Sequence, residues 1–138
     1  MTEIDHGTVA RYCKPYFLDE NGNPTARCFE LRKNRNEKYL SVCLLEFFDK
    51  PTEKEKLVDV KNFMEKNGFS FKSKAAGFAL LDIEKSKEYI FQKISEKISY
   101  REVNSLPHCG IFHESYGDLP IAERLAQCVK IFYSMKNL

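Results

Sequence analysis

Apolar positions along the chain fall into short runs between polar turns, with spacing that shifts between strand-like and helix-like periods. Thr8-Val9-Ala10-Arg11-Tyr12-Cys13 reads as a strand, followed by Tyr16-Phe17-Leu18. Asn21-Gly22 and Pro24 form a turn signal. Thr25 to Arg32 then alternates, Ala26, Cys28 and Glu30 against Arg27, Phe29 and Leu31, which predicts an N-terminal hairpin. In the next apolar run, positions 40, 44, 47 and 48 fit one face of a helix and Ser41 suits an N-cap. A short helix over about 42 to 49 is expected there, with a buried strand over 39 to 48 as the alternative.

Thr52 and Glu55 form a capping box ahead of Leu57, Val60, Phe63 and Met64, and Asn67-Gly68 closes that helix. Phe69–Lys72 and Phe78–Ile83 read as strands. Ser86 suits the cap of a helix carrying Ile90, Phe91, Ile94 and Ile98. Tyr100–Val103 and His108–His113 read as further strands. Asp118 is placed to cap a last helix over about 119 to 136, with Ile121, Leu125, Cys128, Val129 and Phe132 on its buried face. Strand pairs interrupted by helices predict a single α+β domain over 1–138. It has a mostly antiparallel sheet, three to four helices and a C-terminal helix packed on the sheet. Neither a Gly-x-Gly-x-x-Gly nor a Walker A sequence is present.

The 138 residues are 43% hydrophobic and 30% charged, values of an ordinary soluble domain rather than a disordered or fibrous chain. The polar start lacks the features of a signal peptide, and the longest apolar run falls far short of a bilayer span, so the expected compartment is cytoplasmic, with no membrane association. Charge is nearly balanced at +2, without a basic arm, which does not favour nucleic acid as partner. Five cysteines, an odd number without Cys-x-x-Cys spacing, are expected as reduced thiols. No metal site is expected, because His6, His108, His113 and Glu114 include no His pair at helical ligand spacing.

Candidate chemistry gathers in His108-Cys109-Gly110-Ile111-Phe112-His113-Glu114-Ser115-Tyr116-Gly117-Asp118. This segment leads into a helix N-terminus, where free backbone N–H groups favour anions. On a strand, His108 and His113 face opposite ways, so both serve one site only if the chain bends. Cys109 beside His108 is poorly placed as a nucleophile for the same reason. Arg27, Arg32, Lys33, Arg35 and Lys38 form a second basic cluster, read mainly as a solvated loop. Arg11 stands inside an apolar strand and needs a partner, either Glu30 across the hairpin or a ligand phosphate.

The order of Arg11 on an early strand, Ser41 before an apolar element and Glu114 late loosely resembles ADP-ribosyltransferases, which hold NAD with comparable residue types. The resemblance implies an NAD-type ligand at those three positions. It lacks the full motif around Ser41 and assigns no family.

Two functions of different class follow. One is a cytosolic interaction module or regulatory accessory protein without catalysis, which implies a protein partner and no cofactor. The other is a small enzyme acting on a nucleotide or other phosphate-bearing substrate, a small anionic ligand. Its candidate catalytic residues are His108, His113, Ser41 and Glu114, and its candidate ligand-binding residues are Arg11, Arg32, His108 and His113. The second requires Arg11 and one of the two histidines to line the same pocket.

Overall fold

Ala76–Leu81 is buried without a break, the pattern of a strand covered on both faces. In the computed structural model, which describes residues 2–32, 35–114 and 118–138, this run belongs to a strand, Gly77–Asp82, within a seven-stranded sheet. The strands are β1 (Glu3–Ile4), β2 (Thr8–Cys13), β3 (Leu40–Leu44), β4 (Gly77–Asp82), β5 (Ile98–Glu102), β6 (His108–His113) and β7 (Ile131–Ser134). Their order is β1-β5-β6-β3-β2-β4-β7, and every pairing is antiparallel. Three helices complete an α+β fold: α1 (Glu53–Lys66), α2 (Ile83–Ile94) and α3 (Asp118–Gln127).

The helices divide between the two faces of the sheet. Ala79 and Leu81 of β4 join Val9, Val42, Tyr100 and Ile111 in a core closed by Ile83 and Ile90 of α2, Ile121 and Leu125 of α3, and Phe29. Phe78 and Leu80 turn to the other face, where Leu57 and Val60 of α1 cover them together with Ala10 and Cys43. Three layers explain why the central strands are apolar on both faces. Helix α1 forms where its capping box placed it: Thr52 Oγ1 accepts from the Glu55 N–H at 3.2 Å and lies 3.0 Å from Glu55 Oε1.

Five local expectations are corrected. The N-terminal hairpin does not form as read: β2 pairs with β4 along its whole length and with β3 at Val9 and Ala10. Residues 25 to 32 do not pair with the stretch of the β3-facing edge beyond Ala10; Ala26–Phe29 coils into a 3₁₀ turn that buries Cys28 and Phe29 together, and the Cys28 carbonyl accepts from the Arg11 side chain. Residues 40 to 44 are strand rather than helix, since they lie between β2 and β6, and Val42, Cys43 and Leu44 are buried in succession. Ser86 is no cap: α2 starts directly after β4, and Asp82 accepts from the Lys85 N–H at 2.8 Å. The last helix ends at Gln127 instead of about 136, and Ile131–Ser134 joins the free edge of β4 as β7. The aromatic and β-branched run Ile131-Phe132-Tyr133 suits a strand once such an edge is offered. The close approach of β7 needs Gly77, where a Cβ would overlap the Tyr133 carbonyl oxygen. Phe69–Lys72, expected as a strand, follows α1 as an irregular segment.

Candidate functional site

Strands β2 and β3 share only two register pairs, Val9 with Leu44 and Ala10 with Cys43. Beyond Ala10, β2 continues along β4 to Cys13, whereas β3 continues along β6 to Leu40. The sheet therefore splits at this point, and the split opens a cleft of about 850 Å³. Its floor is Ala10, Arg11, Val42, Cys43, Ser41 and His108. One wall comes from the turns between β2 and β3 and carries Lys14, Phe17, Arg27, Glu30, Arg32 and Arg35. The opposite wall is Phe63, Met64 and Asn67 at the end of α1, with Phe69 after it and Tyr12 of β2.

Arg11 spans the split. Its Nε donates to the Cys28 carbonyl at 2.8 Å and its Nη1 to the Ser41 carbonyl at 3.0 Å. Burial pulls its pKa below the ordinary arginine value, partly offset by the nearby Glu37 carboxylate. An arginine stays protonated nonetheless. The expected pairing with Glu30 is absent, and among the described residues Arg11 forms no ion pair. Its guanidinium is thus a half-buried cation whose direct hydrogen-bond partners are two carbonyls, with the Glu37 carboxylate near enough to offset part of the desolvation but not paired to it.

Arg32 is differently placed. Its Nη2 and Nε meet Glu37 Oε2 at 2.9 and 3.1 Å, and its backbone N–H donates to Glu37 Oε1 at 2.6 Å. Burial pushes the Glu37 carboxyl up, but these hydrogen bonds outweigh it and hold its pKa below the usual value. Arg32 is therefore largely neutralised. Among the described residues, Lys14, Arg27 and Arg35 on the same wall have no carboxylate partner, and Glu30 is the one acidic residue lining the cleft. Arg27 also lies over the Phe17 ring, 4.8 Å from its centroid. Lys33 of the expected basic cluster lies outside the described residues.

His108 and Ser41 meet across β6 and β3, with Nε2 3.3 Å from Oγ. Burial lowers the His108 pKa, so its imidazole is neutral at pH 7 and can accept the proton of the Ser41 hydroxyl. Ser41 itself is exposed. The cleft thus joins a fixed positive floor, a basic wall and a hydroxyl beside a neutral base.

Four candidate residues come together here: Arg11, Arg32, Ser41 and His108. Two do not. His113 points to the opposite face of β6, as strand alternation requires. There it lies with Glu114 against a second groove lined by residues of both charges. Its Nε2 is 3.2 Å from Asp118 Oδ1, and its Nδ1 is buried without a hydrogen-bond partner among the described residues. Asp118 opens α3 and also accepts from the Leu31 N–H at 2.9 Å. The segment from His108 to Asp118 is therefore not one site; its Ser115, Tyr116 and Gly117 lie outside the described residues. With Glu114 elsewhere, Arg11, Ser41 and Glu114 do not assemble as the loose likeness to ADP-ribosyltransferases implies.

No family model, curated protein or solved structure matches the chain. Among the described residues no helix is long and apolar enough to cross a membrane, and no cluster of His, Cys, Asp and Glu is arranged for a metal ion. Lys14 and the apolar wall are not among the candidates to which the sequence points. Residues 69 to 72, expected as a strand, instead return onto Tyr12, which places Phe69 in the lining of the cleft and packs Phe71 behind it.

Proposed function

We propose that the protein binds a phosphate-bearing small molecule in the cleft between β2 and β3, with the anionic group on Arg11. The observation that carries this reading is the half-buried Arg11 guanidinium, which lines the cleft, is fixed by the Cys28 and Ser41 carbonyls and forms no ion pair among the described residues. An anion entering the cleft would pair with Arg11 directly, which Glu37 does not, and the planar fork of arginine suits phosphate oxygens. Lys14, Arg27 and Arg35 strengthen the local field. Ser41 and His108 stand beside the bound group as hydroxyl and base, so the same cleft has the groups for acting on its ligand. This favours the small-ligand reading over a purely interacting module, although binding by itself does not require catalysis.

Calorimetric titration with inorganic pyrophosphate, ribose 5-phosphate and a panel of nucleotides tests the reading. Wild type binds at least one member, more weakly as salt rises, and Arg11→Gln abolishes binding with a modest loss of stability. Failure of wild type to bind any member would leave a protein partner as the function to pursue.

A further inference from the structure

The cleft is not uniformly basic. Opposite Arg11 and Arg27 its far end is apolar, formed by Tyr12, Phe63, Met64 and Phe69. Phe69 remains 37% exposed even though two rings fix it in place. Its centroid lies 4.9 Å from Tyr12 at an interplanar angle of 73°, and 4.7 Å from Phe71 at 55°. Tyr12 in turn meets Phe71 at 5.4 Å and Phe78 at 6.0 Å, which anchors the group to the covered face of β4. An aromatic ring that is both held and partly open to a cleft presents a surface for a planar group at little cost in side-chain entropy. Asn67 stands next to it on the same wall; its Nδ2 donates to the Phe63 carbonyl at 2.8 Å, which leaves its side-chain oxygen able to accept from a ligand.

We infer that the ligand is a free nucleotide, its phosphate on Arg11 and its base against Phe69 at the apolar end of the same cleft. This rests on the phosphate-binding reading above. Both halves of the ligand follow from the lining. A fixed cation and a basic wall take the phosphate, and a rigid aromatic face takes the base by stacking, which tolerates any base because every base has a π face. The volume, about 850 Å³, falls within the range of small-molecule sites. A bare phosphate or a sugar phosphate would leave the aromatic end unused.

The experiment compares nucleoside 5′-monophosphates with ribose 5-phosphate, the latter by competition, on wild type, Phe69→Ala, Phe69→Leu and Arg11→Gln. At least one nucleotide binds wild type roughly tenfold or more tighter than ribose 5-phosphate, the usual scale of a base stacked on an aromatic ring. Both Phe69 variants lower nucleotide affinity by a similar factor and leave ribose 5-phosphate unchanged, whereas Arg11→Gln abolishes binding of both ligands. Phe69→Leu keeps the apolar packing, so a loss shared by both Phe69 variants at an unchanged thermal midpoint reports stacking rather than misfolding. Equal affinity for ribose 5-phosphate and every nucleotide overturns the base subsite while leaving the phosphate site standing. Tighter binding of a short single-stranded oligonucleotide than of any mononucleotide overturns the assignment to a free nucleotide. No binding of any of these ligands overturns both readings.

Discussion

Tyr100 and Ser86 meet inside the core, and removing each hydroxyl should cost differently. Tyr100 on β5 is fully buried, and its hydroxyl lies 2.7 Å from Ser86 Oγ on α2. Ser86 Oγ donates to the Ile83 carbonyl at 3.0 Å, which uses its one proton. The Tyr100 hydroxyl is therefore the donor of the pair, and burial pushes its pKa up, which keeps it protonated. Ser86→Ala strands that buried donor, at a cost of about 1–3 kcal/mol. Tyr100→Phe removes the donor and leaves Ser86 bonded to Ile83, which costs about 0.5–1.5 kcal/mol, the net value of one hydrogen bond. The double variant should then be little worse than Tyr100→Phe alone, because no stranded tyrosine hydroxyl remains. Coupling of about 1 kcal/mol is expected, in the usual range for residues in contact. Urea unfolding followed by circular dichroism resolves such differences, and in thermal melts each kcal/mol corresponds to about 4 °C for a chain of this length. Strictly additive costs, or a Ser86→Ala variant as stable as wild type, would show that the two hydroxyls are not partners.

Three further outcomes are expected. Leu125→Ala should cost about 2–5 kcal/mol, because Leu125 is fully buried against the sheet, and an unchanged urea midpoint would place it outside the core. In the native protein the thiols should react slowly with a disulfide reagent at pH 8. Burial raises Cys43 to about 12 and Cys109 and Cys128 to about 11, and Cys13 and Cys28 are buried. The unfolded, unreduced chain should then titrate five thiols, and a count of three or fewer would mean that disulfides form. Burial holds the folded His108 below its ordinary pKa of 6.5, so in the window just below 6.5 the unfolded chain binds more protons than the folded one. Stability should therefore fall as pH drops from about 6.5 toward the lower folded value. His108→Gln should flatten this part of a profile of thermal midpoint against pH, and an unchanged slope would assign the protons to another group.

Much of the local structure was legible because local chemistry decides it. The capping box at Thr52 and Glu55 places α1 at its observed start, and Asn67-Gly68 marks its end. The unbroken apolar run of β4 signals burial on both faces, and alternation along β6 separates His108 from His113 before any fold is known. Structure and local pattern part where long-range pairing and burial decide the conformation. Residues 25 to 32 alternate as a strand does, yet β2 pairs with β4 and β3, and residues 26 to 29 coil into a 3₁₀ turn that buries Cys28 and Phe29 together. Residues 129 to 136 fit the face of a helix, yet β4 offers a free edge that only the assembled sheet creates. The cleft belongs to this second kind. Arg11 is visible as a charge in an apolar strand, but Ser41 lies 30 residues from it along the chain and His108 a further 67 residues beyond Ser41. They meet because β2 follows β4 while β3 follows β6, and that division of hydrogen bonds between strands is settled only when the whole sheet pairs.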